Sequence, residues 1–316
     1  MGSVYVAEHL GLHKEVALKL VRAEFVGNRE LLARFAREAL AGSRIEHPSV
    51  VAVLDYGPLP DGTAYLVMPL VPGTSLKEVL AARGRLPWRE VAELCAQIAD
   101  ALAAAWAQGF VHRDLKPDNI LVEPRDAGPP LARIIDFGVA KLLDQPLSEA
   151  APAASGGAPL TKEGTIIGTP GYMAPEQALG RPATHAADLY SLGVVAWEAL
   201  VGQRRWGGRS VQAILRAQLS EQRSSAREAS GDASIPVELD QLIERLVSAR
   251  VEERPSDARP VRDALRALLE RPALRAGVAT PEQRPPRAFG TGAWLLLGLV
   301  AAGAALGGWL ALFAGP

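Results

Sequence analysis

Cysteine is almost absent from this sequence of 316 residues. Its one cysteine, Cys95, excludes a disulfide framework and a cysteine-based zinc site, and the helical setting AELCAQIADAL predicts a buried structural thiol. A charge excess of one sign is also missing, because 34 Lys and Arg stand against 35 Asp and Glu. Nucleic-acid-binding proteins usually carry a basic excess, so no nucleic-acid partner is expected. The opening residues lack the apolar stretch of a signal peptide.

One long uncharged run lies near the C-terminus, over residues 293–313, AWLLLGLVAAGAALGGWLALF. As a helix it would extend about 31 Å, which matches a bilayer core of about 30 Å. Trp294 and Trp309 lie near its ends, where aromatic rings favour the membrane interface. The run predicts a transmembrane helix in contact with lipid; the alternative is a buried helix of a globular core. Gly303 and Gly307 form a GxxxG pair that allows a homodimer, although chance explains the pair equally well in so small-residue-rich a run.

The residues before this run predict its orientation. The stretch 273–292 is rich in proline and glycine and is interpreted as a juxtamembrane linker. Arg284 and Arg287 lie just before the apolar run, and the positive-inside tendency would leave the large N-terminal part in the cytoplasm. Only the tail 314–316 follows the run. We therefore expect a single-pass protein of the inner cell membrane.

The remaining chain changes texture from strand-like to helix-like. SVYVAEH and KEVALKLV are rich in β-branched residues and predict a hairpin of two strands. After Gly73, apolar residues recur at helical spacing over long segments. An α+β fold with a small strand-rich part and a larger helical part follows. The predicted strands are 50–56 and 64–70 besides the hairpin, and the predicted helices are 28–44, 75–82, 88–108, 187–201 and those within 237–269.

Four short motifs occur in order along the chain: VALK, VHRDLKPDNILV at 111–122, IIDFGVA and GTPGYMAPE. Together they resemble motifs of the protein kinase family, and VHRDLKPDNILV resembles its catalytic loop. The resemblance covers roughly residues 1–272 and is closest to bacterial serine/threonine kinases. It implies a two-lobed fold with an N-lobe over 1–71, lacking its first strand, and a C-lobe over 72–272.

The resemblance implies roles for the charged residues in these motifs. Lys19 would hold the α- and β-phosphates of ATP, with Glu38 as the partner that orients it and Glu30 as the rival for that role. Asp136 and Asn119 would supply oxygen ligands to Mg²⁺, with Mn²⁺ as the alternative cation.

The catalytic loop itself would receive the substrate. Asp114 would accept the hydroxyl proton, and Lys116 would contact the transferred phosphate. A lysine at this place is typical of serine/threonine kinases, so protein substrates with serine or threonine acceptors are expected. His112, Asp188 and the pair formed by Glu176 and Arg254 resemble structural residues of the kinase fold.

The resemblance also implies residues that regulate the activity and residues that line the nucleotide pocket. Arg113, next to Asp114, implies control by phosphorylation of the activation loop, with Thr161 and Thr165 as the acceptors and Thr169 as a residue that positions substrate. The adenine and phosphate pocket would be lined by Gly2, Val4, Ala17, Met68, Pro69, Val71 and Leu121.

The glycine-rich phosphate loop of kinases is incomplete in this sequence. Only Gly2 and Val4 match its end. Either Met1 is an internal methionine of a longer protein, or the protein itself has an incomplete loop. The second alternative leaves open a membrane-tethered pseudokinase or scaffold with weak or no ATP turnover. Small-molecule kinases on a related fold are disfavoured, because GTPGYMAPE resembles a platform for protein substrates.

Overall fold

The computed structural model describes residues 3–21, 43–60, 63–136, 170–207, 209–219 and 224–271. These residues, up to Glu270, belong to one compact unit. In the described ranges no helix is long and apolar enough to cross a membrane. The predicted linker 273–292 and the predicted span 293–313 lie outside the described residues, and so do Gly2, Glu38, Thr161, Thr165 and Thr169.

The N-terminal part is an antiparallel sheet of four strands. Strands β1 (Ser3–His9) and β2 (Lys14–Val21) form the predicted hairpin, and β3 (Asp55–Pro58) and β4 (Ala64–Pro69) complete the order β1-β2-β4-β3. The register pairs Lys19 with Val4 on one side and with Leu66 on the other. Directly opposite residues share a face of the sheet, so these three side chains lie on one face.

The predicted strand over 50–56 is wrong in its extent. Val50 makes only an isolated parallel bridge to Ile134, and the strand begins at Asp55. The Val51 N–H donates to the Ile134 carbonyl at 2.9 Å, and the Ile134 N–H donates to the Ser49 carbonyl at 2.8 Å. These bonds tie the segment to a second, three-stranded sheet made of β5 (Thr74–Ser75), β6 (Ile120–Glu123) and β7 (Leu131–Ile134).

Helices make up most of the remaining described chain. Helix α1 (Leu76–Arg83) is capped by Ser75, whose side chain and that of Glu78 form a capping box. Helix α2 (Trp88–Ala107) buries Cys95 and packs against the helices at His185–Val201 and Ala258–Glu270. The others are α3 (Pro175–Ala178), α4 (His185–Val201), α5 (Val211–Leu219), α6 (Ala226–Ser230), α7 (Val237–Leu246) and α8 (Ala258–Glu270), with short 3₁₀ turns at Pro117–Asn119 and Val251–Glu253.

Helix α4 is the centre of the helical part. From Ala186 to Leu200 every residue except Glu198 is buried, which fits its apolar sequence. A Cβ at Gly193 would lie 2.7 Å from the Leu246 Cβ, so glycine permits the close approach of this helix to the end of α7. Because α4 is packed on all sides, the polar groups that it carries are fixed in place.

Candidate active site

Lys19 and Asp136 are 117 residues apart in sequence and come together in the fold. The Lys19 Nζ lies 2.5 Å from the Asp136 Oδ2, and both side chains are mostly buried. Lys19 is positioned by β2, and Asp136 follows Ile135, which packs against the same apolar cluster as Ala17. Asp136 adopts a positive φ of 60°, a strained conformation that costs about 1–3 kcal/mol and that the surrounding contacts must hold. The pairing of Lys19 with Glu38 stays a prediction.

The predicted catalytic loop is held in place by the carboxylate of Asp188. Asp188, on α4, accepts the N–H of His112 at 2.8 Å and the N–H of Arg113 at 2.7 Å. Burial raises the pKa of Asp188, and the backbone N–H groups of His112 and Arg113 and the charge of Arg113 oppose that rise. Arg113 has a φ of 66°, and these two bonds hold the loop in that strained shape. Asp188 is therefore a bracing residue, as the resemblance implies.

His112 is fully buried and bonds both to the predicted catalytic loop and to the residue before Asp136. Its Nε2 donates to the Ile135 carbonyl at 3.0 Å, and its Nδ1 accepts the Asp114 N–H at 3.2 Å. A carbonyl only accepts and an amide N–H only donates, so these partners assign the neutral imidazole with its proton on Nε2. His112 thus fixes Asp114 and the residue before Asp136 relative to each other.

Asp114, Lys116 and Asn119 form one polar cluster. The Lys116 Nζ lies 2.7 Å from the Asp114 Oδ2, and Lys116 is only 5% exposed. The Asn119 Nδ2 donates to the Asp114 carbonyl at 2.8 Å. That bond leaves the Asn119 Oδ1 as the oxygen that can serve as a cation ligand.

A divalent cation fits this set of donors. Asp136 offers a carboxylate and Asn119 an amide oxygen, and the Ile135 N–H donates to the Asn119 carbonyl at 3.0 Å, which keeps the two side chains neighbours in the fold. Within the ranges described, no group of three or more His, Cys, Asp or Glu side chains could hold a metal alone. Mg²⁺ is commonly held by one or two carboxylates together with phosphates, so a two-residue set suits a metal that arrives with a nucleotide.

The predicted adenine pocket is assembled in part. Met68 is buried in an apolar cluster, against which Ala17 and Val71 pack. Val4 lies on the same sheet face but is 59% exposed. Pro69 ends β4 and is exposed, and Leu121 lies half-buried on β6, opposite Arg133.

The predicted buried ion pair of the helical part is present. The Arg254 Nη1 and Nη2 lie 2.7 and 2.9 Å from the two carboxylate oxygens of Glu176. Arg254 also donates to the carbonyls of Ser248 and Ala186, each at 2.8 Å. This fully bonded pair anchors α3, the short helix after the segment GTPGYMA.

Two contacts near α3 were not predicted. The Gln177 Nε2 donates to the Arg113 carbonyl at 3.1 Å, so α3 is bonded directly to the catalytic loop. The Tyr172 hydroxyl donates to the Glu198 Oε2 at 2.5 Å, and burial together with this bond raises the pKa of Tyr172. Burial likewise raises the pKa of Glu198. A polar residue inside an apolar helix, as Glu198 is, was the only sequence signal for this second contact.

Comparison with known proteins agrees with this geometry. Residues 1–268 match the family described as protein kinase domain. The chain is 36% identical over 268 residues to the serine/threonine-protein kinase pkn3 of Myxococcus xanthus, covering 85% of this chain and 48% of that protein. It is 36% identical over 291 residues to the serine/threonine-protein kinase PknA of Mycobacterium tuberculosis, covering 91% of this chain and 60% of that protein. The chain thus spans between about half and three-fifths of the length of these curated relatives.

Solved structures show the same fold. The crystal structure of the PknI kinase domain of Mycobacterium tuberculosis superposes with a TM-score of 0.63 at 24% identity. It covers 84% of this chain and 91% of that chain. The two-lobed α+β architecture is therefore shared.

Proposed function

The chain belongs to the protein kinase family, within the bacterial serine/threonine kinases, and we propose that it transfers the γ-phosphate of ATP to serine and threonine hydroxyls of proteins. The observation that carries this proposal is the joining of two groups, Lys19 with Asp136 and Asp114 with Lys116 and Asn119, through the buried His112.

Each group has a distinct task in the transfer. Phosphoryl transfer requires alignment of the reactants and neutralisation of phosphate charge more than covalent chemistry by the protein. The acceptor hydroxyl bonds to the transferred phosphorus, its proton goes to the Asp114 carboxylate, and ADP leaves. Lys116, 2.7 Å from Asp114, supplies positive charge where the phosphate arrives.

The ion pair of Lys19 and Asp136 prepares the nucleotide site. The two groups lie 2.5 Å apart and neutralise each other's charge. When Mg·ATP binds, Lys19 would hold the phosphates, and Asp136 and Asn119 would serve as ligands of Mg²⁺. The cation supplies neutralising charge on the phosphate oxygens. A pseudokinase is disfavoured, because Lys19, Asp114, Asn119 and Asp136 are all present.

Phosphate transfer to a protein substrate tests the function. Asp114→Asn should lower the rate by about 10²–10⁴-fold, because it removes the group that accepts the proton. Asp126→Asn is the matched control, since Asp126 is an exposed carboxylate in the turn before β7. Equal rates for the Asp114 variant and the wild type would contradict the role of Asp114.

We also propose that the apolar run 293–313 anchors the chain in the inner membrane, with the kinase part in the cytoplasm. Its length and its preceding arginines support this. Deleting residues 293–316 should move the protein from membrane to soluble fractions, and unchanged fractionation would reject the anchor.

We also propose that phosphorylation within the segment 137–169 activates the kinase. Arg113 lies next to Asp114, and a phosphate on Thr161 or Thr165 would pair with its charge. The double variant Thr161→Ala, Thr165→Ala should lose activation after preincubation with ATP. The wild type should retain that activation.

A further inference from the structure

Three arginines and one tryptophan lie close together in sequence just after α4. Arg204, Arg205 and Arg209 lie within the segment GQRRWGGRS. The guanidinium carbons of Arg205 and Arg209 lie 5.5 and 5.9 Å from the centre of the Trp206 ring. This arrangement holds two of the cations within cation–π distance of one aromatic ring.

These residues line an open cleft together with Pro170, Gly171 and Tyr172 and with Glu198 of α4. The cleft has a volume of about 150 Å³. The Trp206 Nε1 is buried, and in the described part of the chain it has no hydrogen-bond acceptor.

The cleft carries an excess of positive charge. Three guanidinium groups line it, against the single carboxylate of Glu198, which the Tyr172 hydroxyl already bonds. Arg205 is nearly buried, lies over the Trp197 ring and reaches the Glu244 carboxylate at 3.5 Å. Arg204 and Arg209 are exposed. A ligand that complements this cleft therefore carries negative charge.

The cleft lies near the catalytic loop. The charge of Asp118, one residue before Asn119, helps to raise the pKa of both Tyr172 and Glu198, so these groups are within electrostatic reach of the loop. Tyr172 is also close in sequence to Gln177, which donates to the Arg113 carbonyl beside Asp114. A peptide substrate with its hydroxyl at Asp114 extends for several residues on either side, at about 3.3 Å per residue, and the cleft is a candidate site for one of those residues.

We propose that this cleft selects substrates by binding an anionic side chain a few residues from the phosphorylated serine or threonine. The group is a carboxylate of Asp or Glu or the phosphate of an already phosphorylated residue, since guanidinium groups bind both. The inference rests on the proposed kinase function, and it adds a substrate preference that Arg204 and Arg209 set.

Peptide binding tests the cleft without requiring phosphate transfer. Fluorescent peptides with one central serine carry Asp, phosphoserine, Ala or Lys at each flanking position in turn, and anisotropy measures their binding to the full chain. At one or more positions the anionic peptides should bind at least about tenfold more tightly than the Ala peptide, which is the effect of one charge-assisted hydrogen bond. The Asp and phosphoserine arms show which anion the cleft prefers.

Two arginine variants connect any preference to the cleft. Arg204→Ala and Arg209→Ala should each reduce the preference by about tenfold and leave binding of the Ala peptide unchanged. Arg216→Ala, on the exposed side of α5, is the matched control and should keep the preference. Thermal unfolding confirms that each variant is folded.

The outcomes separate this inference from the proposed function. No anionic preference in the wild type, or a preference that both cleft variants retain, would overturn the cleft as a selecting subsite. Retained preference without phosphate transfer to any peptide would support the subsite and reject the kinase activity.

Discussion

Replacing Arg254 by methionine should lower the free energy of unfolding by about 3–5 kcal/mol. The change leaves the buried Glu176 carboxylate without the two bonds of 2.7 and 2.9 Å that neutralise it. It also removes the donors to the Ser248 and Ala186 carbonyls, and each buried acceptor left unsatisfied costs about 1–3 kcal/mol. These added losses place the variant at the upper end of the range.

Urea unfolding of the full chain, followed by circular dichroism, measures this loss. Arg250→Ala is the matched control, because Arg250 contacts Glu253 at 3.3 Å with both side chains largely exposed. Such a pair contributes about 0–1 kcal/mol. The double variant Glu176→Gln, Arg254→Met removes both charges and should lose less than the Arg254 variant alone. An Arg254 variant within about 1 kcal/mol of the wild type would refute the reasoning.

Three further predictions concern buried groups. Burial raises the pKa of the Cys95 thiol to about 12, so iodoacetamide at pH 8 should modify the native chain at least about a hundredfold more slowly than the urea-unfolded chain; equal rates would contradict the burial. Burial lowers the pKa of His47, and Asp100 opposes the change. The folded state therefore binds a proton at His47 less readily than the unfolded state does, and the stability that neutral His47 contributes above pH 6.5 is lost as the pH falls. His47→Gln should flatten the fall of the urea midpoint between pH 7.5 and 5.5, and an unchanged slope would count against it. Asp188→Asn turns an acceptor of the Arg113 N–H, at 2.7 Å, into a donor, and should slow phosphate transfer by about tenfold or more; wild-type rates would show that the brace is dispensable.

The sequence predicted the local elements of the site well. The hairpin of β1 and β2 follows from β-branched residues around a glycine-containing turn, and the catalytic loop follows from one continuous motif. The structural roles of His112 and Asp188 were also expected, since both resemble structural residues of the kinase fold.

The contacts between distant segments were not predictable in the same way. Gln177 and Arg113, or Tyr172 and Glu198, are brought together by packing of helices, and no periodicity signals such a pair. The strand predicted at 50–56 failed for a related reason. β propensity marked Val50 to Val53, but strand formation depends on a partner, and Val50 finds only the single bridge to Ile134. The cleft lined by Arg204, Arg205 and Arg209 likewise depends on a long-range contact, because it brings the segment after α4 next to Tyr172.

The most direct test of the central claim is incorporation of labelled γ-phosphate from Mg·ATP into the full chain itself. We predict label on serine or threonine, including Thr161 or Thr165, and at least a hundredfold less label in Asp136→Asn, which removes the proposed cation ligand and the partner of Lys19. Asp126→Asn should incorporate as much label as the wild type. Label that is absent from the wild type at millimolar ATP, or equal in the Asp136 variant, would contradict the assignment of this cluster as a phosphate-transfer site.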